Sequence, residues 1–366
     1  MGEADAYARA GVDYDVLDAL KRTALQAAQA SSPALTAQHG RALDASRGEP
    51  AFVFEFGGQT LAIVQECLGT KSVLARELQD LTGENRFADV ASDAVSAIAN
   101  DMISVGALPL VINAYFSVGS AAWYTSERVS ALVEGWQRGC EAAGAAWGGG
   151  ESPALAGLVV PTDIELAGSA VGVVPQDHRP LIGQDLHPGD EIVLVASNGI
   201  HTNGLTLAKK AARELPGGLA AKLPSGRGLG SALLDPSFIY APLVRALLAA
   251  DVPVSYLAHI TGHGLRKVMR ANRELTYRIS ELPPVPEVLA FVVGQLGLDA
   301  RTAYGTFNMG TGFAVFVRPG AAGAVISAAR ECGFAALHGG GVEDGPRQVL
   351  LDPVGLSFMG EELQLR

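Results

Sequence analysis

Apolar positions along the chain recur with two periods, one suited to helices and one to strands. In "DYDVLDALKRTALQAAQAS" (13–31), Val16, Leu17, Leu20 and Leu25 fall at helix-like spacing, so a helix is expected there. "AFVFEF" (51–56) and "TLAIVQE" (60–66) flank Gly57-Gly58 and predict a hairpin with apolar residues on both faces of its strands. "ADVASDAVSAIANDMISVGA" (88–107) predicts a helix closed by Gly106, and "PLVINAYF" (109–116) a strand. The segment 125–144 opens on a Thr/Ser cap signal and stops at Gly144, the punctuation of a helix. "DIELAGSAVGVVP" (163–175) is a further strand.

Pro175, Pro180, Pro188 and Gly189 then break the pattern, and the strand "EIVLVAS" opens a second unit. Two domains are expected, 1–175 and 176–366, which suits a chain of 366 residues. Helices are expected at 204–215, 237–250, 264–271 and 285–297, with strands "TYRIS" and "GFAVFV" between them. This irregular mixture predicts an α+β fold of two α/β halves and not a doubly wound sheet.

Composition narrows the partners. Hydrophobic residues, 48% of the chain, supply a core, and 44 glycines without a fixed period imply tight turns and close backbone approaches. A net charge of −11 argues against nucleic acid. A small phosphorylated ligand remains open, because backbone N–H groups and a metal bind phosphate without a basic surface. Cys67, Cys140 and Cys332 show no CxxC spacing, which fits a reducing cytoplasm and argues against a zinc or disulfide framework. "MGEADAYARAG" has neither the basic nor the apolar region of a signal peptide. The uncharged stretch 107–124 contains Pro109, Asn113 and Gly119 and reads as a strand with a loop, not a membrane span.

Common nucleotide motifs fail. "CLGTKS" (67–72) lacks the first glycine of a P-loop, and no GxGxxG follows a strand. His259 and His263 have i,i+4 spacing, but Gly262 and Gly264 spoil the helix a zinc protease needs. Carboxylates carry more. Asp93 and Asp101 lie about 80° apart on one expected helix, in Ala/Val/Ile-rich surroundings. Glu66 ends an apolar strand, and Glu151 follows three glycines. Acids at element ends suit Mg2+, which takes a few carboxylates plus phosphate oxygens; a helix-end cap is the plainer role for Asp101.

The stretch "ASNGIHTNG" (196–204) gathers Ser197, Asn198, Gly199, His201, Thr202 and Asn203 ahead of an amphipathic helix. It reads as a capped turn or as an anion cradle at a helix start with His201 aimed into it.

An ordered series of segments resembles the aminoimidazole ribonucleotide synthetase family. "YARAGVDYD" (7–15) resembles its YxxAGVD, and "GTK" (69–71) the end of TDGVGTK. "ASDAVSAIANDMISVGALPL", "GCEAAGAAWGGGES" and "GDEIVLVASNGIHTNGLTLAKK" are similar to further family segments, as are "AHITGHG" and "TFNMGTG". The series runs from residue 7 to about 315 in family order. The resemblance implies an N-terminal half whose strands form a barrel across a homodimer, with ATP between the halves. It implies an enzyme that phosphorylates an amide oxygen of formylglycinamidine ribonucleotide and closes an imidazole ring. Glu66, Asp93 and Asp101 would then hold Mg2+, with Asp235 as a further ligand or simply a helix N-cap. Gly69, Thr70, Lys71, Asn100 and Asp101 would bind ATP. Ser197, Asn198, Gly199, His201, Thr202, Asn203 and His259 would bind substrate, and His201, Lys71 and Glu151 would act in catalysis.

Departures bear on the substrate. TDGVGTK is here "QECLGTK", TGGG is "TGHG" with His263, and PTRIY is "DPSFIY" with Phe238 in place of Arg. These changes keep open a homologue acting on a different amide, and a nucleotide-binding regulator without turnover.

Overall fold

The computed structural model describes residues 14–363; "YARAGVDYD" lies outside the described residues through Asp13, as do the side chains of Val16 and Leu17. The first sheet takes β1 (Arg41–Ala42), β2 (Phe52–Phe56), β3 (Gln59–Cys67), β4 (Leu108–Val118), β5 (Ala146–Glu151) and β6 (Ile164–Val174). Its order is β1-β2-β3-β6-β4-β5, antiparallel except for β4 beside β5. The second takes β7 (Glu191–Ala196), β8 (Val254–His259), β9 (Leu275–Ile279), β10 (Thr311–Val317), β11 (Ala336–Asp344), β12 (Gln348–Leu351) and β13 (Leu356–Met359). Its order is β13-β12-β9-β11-β7-β10-β8, with only β12 beside β9 parallel. Two mixed sheets with packed helices are the α+β architecture expected from the pattern.

The β2–β3 hairpin turns through Gly57 and Gly58, whose φ values of 59° and 78° are those of a tight type I′ connection. Its apolar residues do not all enter the core. Val53, Ala62 and Val64 are buried, whereas Phe52, Phe54 and Ile63 on the other face are not.

The helix Phe87–Ile103 is the core of the first half and is buried on nearly every side. The helix Ser126–Ala143 crosses it closely: a Cβ at Gly135 would collide with the Ala88 carbonyl. That second helix has the expected caps. Thr125 Oγ1 accepts from Arg128 N at 3.3 Å, and Gly144 closes it in the left-handed region.

Three expected helices shift. The segment expected at 264–271 is a 3-10 helix, Gly264–Met269, because His263 and Gly264 both hold positive φ at its start. The helix expected from 237 begins at Ala241, since the backbone of Ser237, Phe238 and Tyr240 is hydrogen-bonded to Asp93 and Asn100 of the neighbouring helix. The helix after the 196–204 loop is Leu205–Arg213. Among the described residues no helix is long and apolar enough to cross a membrane.

Candidate active site

A cleft of about 280 Å3 opens between the halves. Glu66, Cys67, Leu68, Ala97 and Asp101 line it from the first half; Thr202, Asn203, His259, Thr261, Gly262, His263 and Lys267 line it from the second. One wall is acidic and the other carries imidazole, ammonium and hydroxyl groups.

Glu66 comes from the end of β3 and Asp101 from the last turns of the helix Phe87–Ile103. The two carboxyls are close enough for the charge of Asp101 to act on Glu66. Burial, and next the Asp101 charge, push the Glu66 carboxyl up to about 8, against Lys267 and Arg270. Burial also opposes ionisation of Asp101, but His259, Lys267 and Arg270 outweigh it and hold Asp101 below the ordinary carboxylate range. His259, at the end of β8, meets Asp101 Oδ1 through Nδ1 at 2.7 Å. Its imidazole is held low by burial, which prevails over the pull of Asp101. On the wall facing the acids, Lys267 donates to Thr261 Oγ1.

Behind the cleft stands a wall of buried polar contacts. Lys71 Nζ lies 2.6 Å from Asp93 Oδ2, and neither side chain is exposed. The same ammonium donates to the carbonyls of His201 at 3.1 Å and Asp235 at 3.0 Å. Asp93 Oδ1 accepts from Ser237 N at 2.7 Å and Ser237 Oγ at 2.5 Å. Asn100 Nδ2 donates to the Phe238 carbonyl, and Asn100 Oδ1 accepts from Tyr240 N, both at 2.8 Å. Asp235 turns its carboxylate away, to Arg227 at 2.9 Å.

The 196–204 loop is braced from the second sheet. Asn308 Nδ2 donates to the carbonyls of Gly199 (2.9 Å) and Ile200 (3.3 Å), while Asn308 Oδ1 accepts from Ser197 Oγ (2.8 Å) and Gly310 N (3.0 Å). Asn198 Nδ2 donates to the Pro236 carbonyl, so its Oδ1 accepts from His201 Nε2 at 2.8 Å. His201 is therefore the Nε2–H tautomer, and its Nδ1 is buried without a hydrogen-bond partner. Burial first, then Lys71 and His259, hold this imidazole well below 6.5. Phe238 and Tyr240 pack their rings against it. Gly204 holds φ 83° at the helix start, where a Cβ would run into the Phe307 ring. Among the described residues five non-glycine positions have positive φ; His201, His263 and Met309 of these belong to the cleft and its bracing loop.

Glu66, Asp101, Thr202, Asn203 and His259 thus meet at one cleft. Lys71, Asp93, Asn100, Ser197, Asn198, Gly199 and His201 form the layer behind it. Gly69 and Thr70 begin the helix Thr70–Thr82; Gly69 N donates to Glu165 at 3.0 Å and Thr70 Oγ1 lies 3.2 Å from Thr206 Oγ1. Glu151 is apart from these residues, exposed on edge strand β5. Strand register sets it three strands from Cys67, about 14 Å at ~4.8 Å per strand. Sequence reasoning gave no role to Lys267, Ser237 or Asn308. A lone Lys amid "GLRKVM" and an Asn within "TFNMG" were the available signals.

Residues 48–174 match the model of the AIR synthase related protein N-terminal domain, and 187–352 that of the C-terminal domain. Fold and cleft together define a two-domain protein of the AIR synthase related class. The chain belongs to the phosphoribosylformylglycinamidine cyclo-ligase family. It is 38% identical over 274 residues to the phosphoribosylformylglycinamidine cyclo-ligase of Anaeromyxobacter sp., covering 74% of this chain and 78% of that one. To the enzyme of that name from Pyrococcus furiosus it is 33% identical over 313 residues, 85% of this chain and 87% of the relative. The hydrogenase maturation protein HypE in complex with ATP shares the fold, with TM-score 0.57 and 17% identity over 83% of this chain and 85% of that chain.

Proposed function

We propose that the protein is an ATP-dependent cyclo-ligase acting on formylglycinamidine ribonucleotide. The γ-phosphoryl group leaves ADP for the substrate's amide oxygen. An internal nitrogen then attacks that carbon, the imidazole ring closes, and phosphate departs with the former amide oxygen. The observation that carries the reading is the cleft itself, an acid pair facing Lys267, His259, Thr202 and Asn203 across the join of two AIR synthase related domains. Relatives named for this reaction support it.

Mg2+ fits the acid pair. Glu66 and Asp101 line the same cleft, and burial and the Asp101 charge raise the proton affinity of Glu66, so a cation held by both carboxylates would relieve the repulsion between them. Among the described residues no three His, Cys, Asp or Glu converge on one point, so a bound Mg2+ would need phosphate oxygens in addition to Glu66 and Asp101. When bound, Mg2+ neutralises charge developing on the transferring phosphoryl. Lys267 does the same from the opposite wall. His259, oriented by Asp101, fixes that carboxylate toward the cleft. Thr202 and Asn203, with the first N–H groups of the helix Leu205–Arg213, hold the substrate phosphate or amide.

A homodimer fits the free face of the first sheet. Ile63, Val171 and Val111 face one another across β3, β6 and β4, and are 44%, 39% and 38% exposed. An apolar row of this kind on a sheet marks a contact surface. The three cysteines are unpaired, which accords with the cytoplasm.

His263 at the cleft and Phe238 against His201 favour a second reading, a different amide in the same reaction. The purified protein, given ATP, Mg2+ and formylglycinamidine ribonucleotide, is expected to release one ADP per aminoimidazole ribonucleotide detected by mass. ATP binding without ADP release on that substrate would select the second reading.

A further inference from the structure

Lys71 donates hydrogen bonds to the carbonyls of His201 and Asp235, and its ammonium forms an ion pair with Asp93, 2.6 Å from Oδ2. Its side chain is fully buried. Lys71 and Asp93 belong to the first half, while His201, Asp235 and Ser237 belong to loops of the second. Each end of the ion pair therefore grips the other half: the ammonium holds two carbonyls, and the carboxylate holds Ser237 twice. The carbonyl of His201 is the point where the 196–204 loop turns toward the cleft, since Thr202 and Asn203, the next two residues, line it. His201 itself holds φ 59°, a conformation that needs external support.

We propose that the Lys71–Asp93 pair is a latch between the halves. It touches neither nucleotide nor substrate; it is a positioning device that sets Thr202 and Asn203 opposite Glu66 and Asp101. The proposal rests on the cleft being the reaction site. It gives Lys71 a role other than phosphate binding.

Removing one partner leaves the other charged and buried, so single variants are prone to unfold, whereas replacing both with apolar residues is often tolerated. The informative variant is Lys71→Met with Asp93→Leu. The latch requires that it melt near the wild type and bind MgATP within about threefold of wild type. Amide exchange at 198–204 and 235–240 should accelerate at least tenfold, and kcat should fall about 100-fold with little change in the KM for ATP. MgATP binding weakened tenfold or more with unchanged exchange in both loops would overturn the proposal, as would full activity. A second measurement uses the wild type alone. An amine-reactive reagent should leave Lys71 unmodified with or without MgATP. Ready labelling that MgATP suppresses would place Lys71 on the nucleotide and end the latch. Exchange and labelling do not depend on the substrate, so failure of the cyclo-ligase reading would appear separately, as a wild type without turnover.

Discussion

Glu66, on a strand, and Asp101, on a helix, are 35 residues apart in the chain and meet on the acid wall of the cleft, where burial and the Asp101 charge favour the protonated form of Glu66. Glu66 titrates near 8 in the fold against an ordinary 4.5. The folded state therefore binds more protons than the unfolded chain between those values. Glu66 contributes stability that is complete below about 4.5 and is lost as pH rises through about 8. The melting temperature of metal-free protein should accordingly drop between about pH 5 and pH 8, and Mg2+ should restore it at the upper end. Binding of Mg2+ must expel the Glu66 proton, so affinity should rise by up to roughly tenfold per pH unit below 8. Calorimetry at pH 7 in two buffers of different ionisation heat should count about one proton released. In Glu66→Gln it should count none. Proton-neutral binding by the wild type would remove Glu66 from the metal site.

His201 is neutral throughout the working range, because burial and the nearby Lys71 hold its imidazole well below 6.5. The pH profile of kcat should show no inflection belonging to this residue between about 5.5 and 7.5. Replacing His201 with Asn removes the ring that bridges Asn198 to the Phe238–Tyr240 cluster, and should lower turnover by roughly 100-fold with MgATP affinity within a few-fold. An inflection near 6.5 that disappears in the variant would show that His201 carries a proton after all.

Asn308→Ala deletes the two donated and two accepted hydrogen bonds of the brace, stranding the carbonyls of Gly199 and Ile200, the Ser197 hydroxyl and Gly310 N. The loss should be about 2–4 kcal/mol of stability by urea unfolding, from unsatisfied buried groups, with turnover falling alongside. A loss under about 1 kcal/mol would mean water replaces the amide at little cost.

Val171→Asp sets a charge in the middle of the exposed apolar row on the first sheet. Light scattering should give twice the 37.8 kDa chain mass for the wild type and a single chain for the variant. A wild-type mass of one chain at micromolar concentration would exclude the homodimer.

Long periodic segments made much of this fold legible. The hairpin at 51–66, the helix ending at Gly144 and the strand "GFAVFV" follow from spacing and punctuation that act locally. The helix Thr70–Thr82 is not among the expected elements although Leu74 and Leu78 recur at helical spacing, and β11 is missed because "ALHGGGVED" has too many glycines to alternate. Residue types at the site were legible, but their partners were not. Lys71 and Asp235 are 164 positions apart, and Ser197 and Asn308 are 111 apart. The first contact arises only when the two halves pack and the second only when β7 and β10 pair, so composition and period carry no trace of them. The same holds for Glu66, whose elevated proton affinity comes first from burial and then from Asp101 on another element.

The helix Phe87–Ile103 carries Asp93, Asn100 and Asp101, and each serves a different client: the latch, the 238–240 segment and the cleft. Its angular spacing is therefore a ruler for the whole site. One residue inserted between Asp93 and Asn100 would rotate everything beyond it by about 100°, carrying Asp101 off the acid wall while Asp93 stayed in place. The surrounding loops can lengthen or change in evolution without such consequences, but this helix can vary only by substitution, and only on positions that leave its count intact.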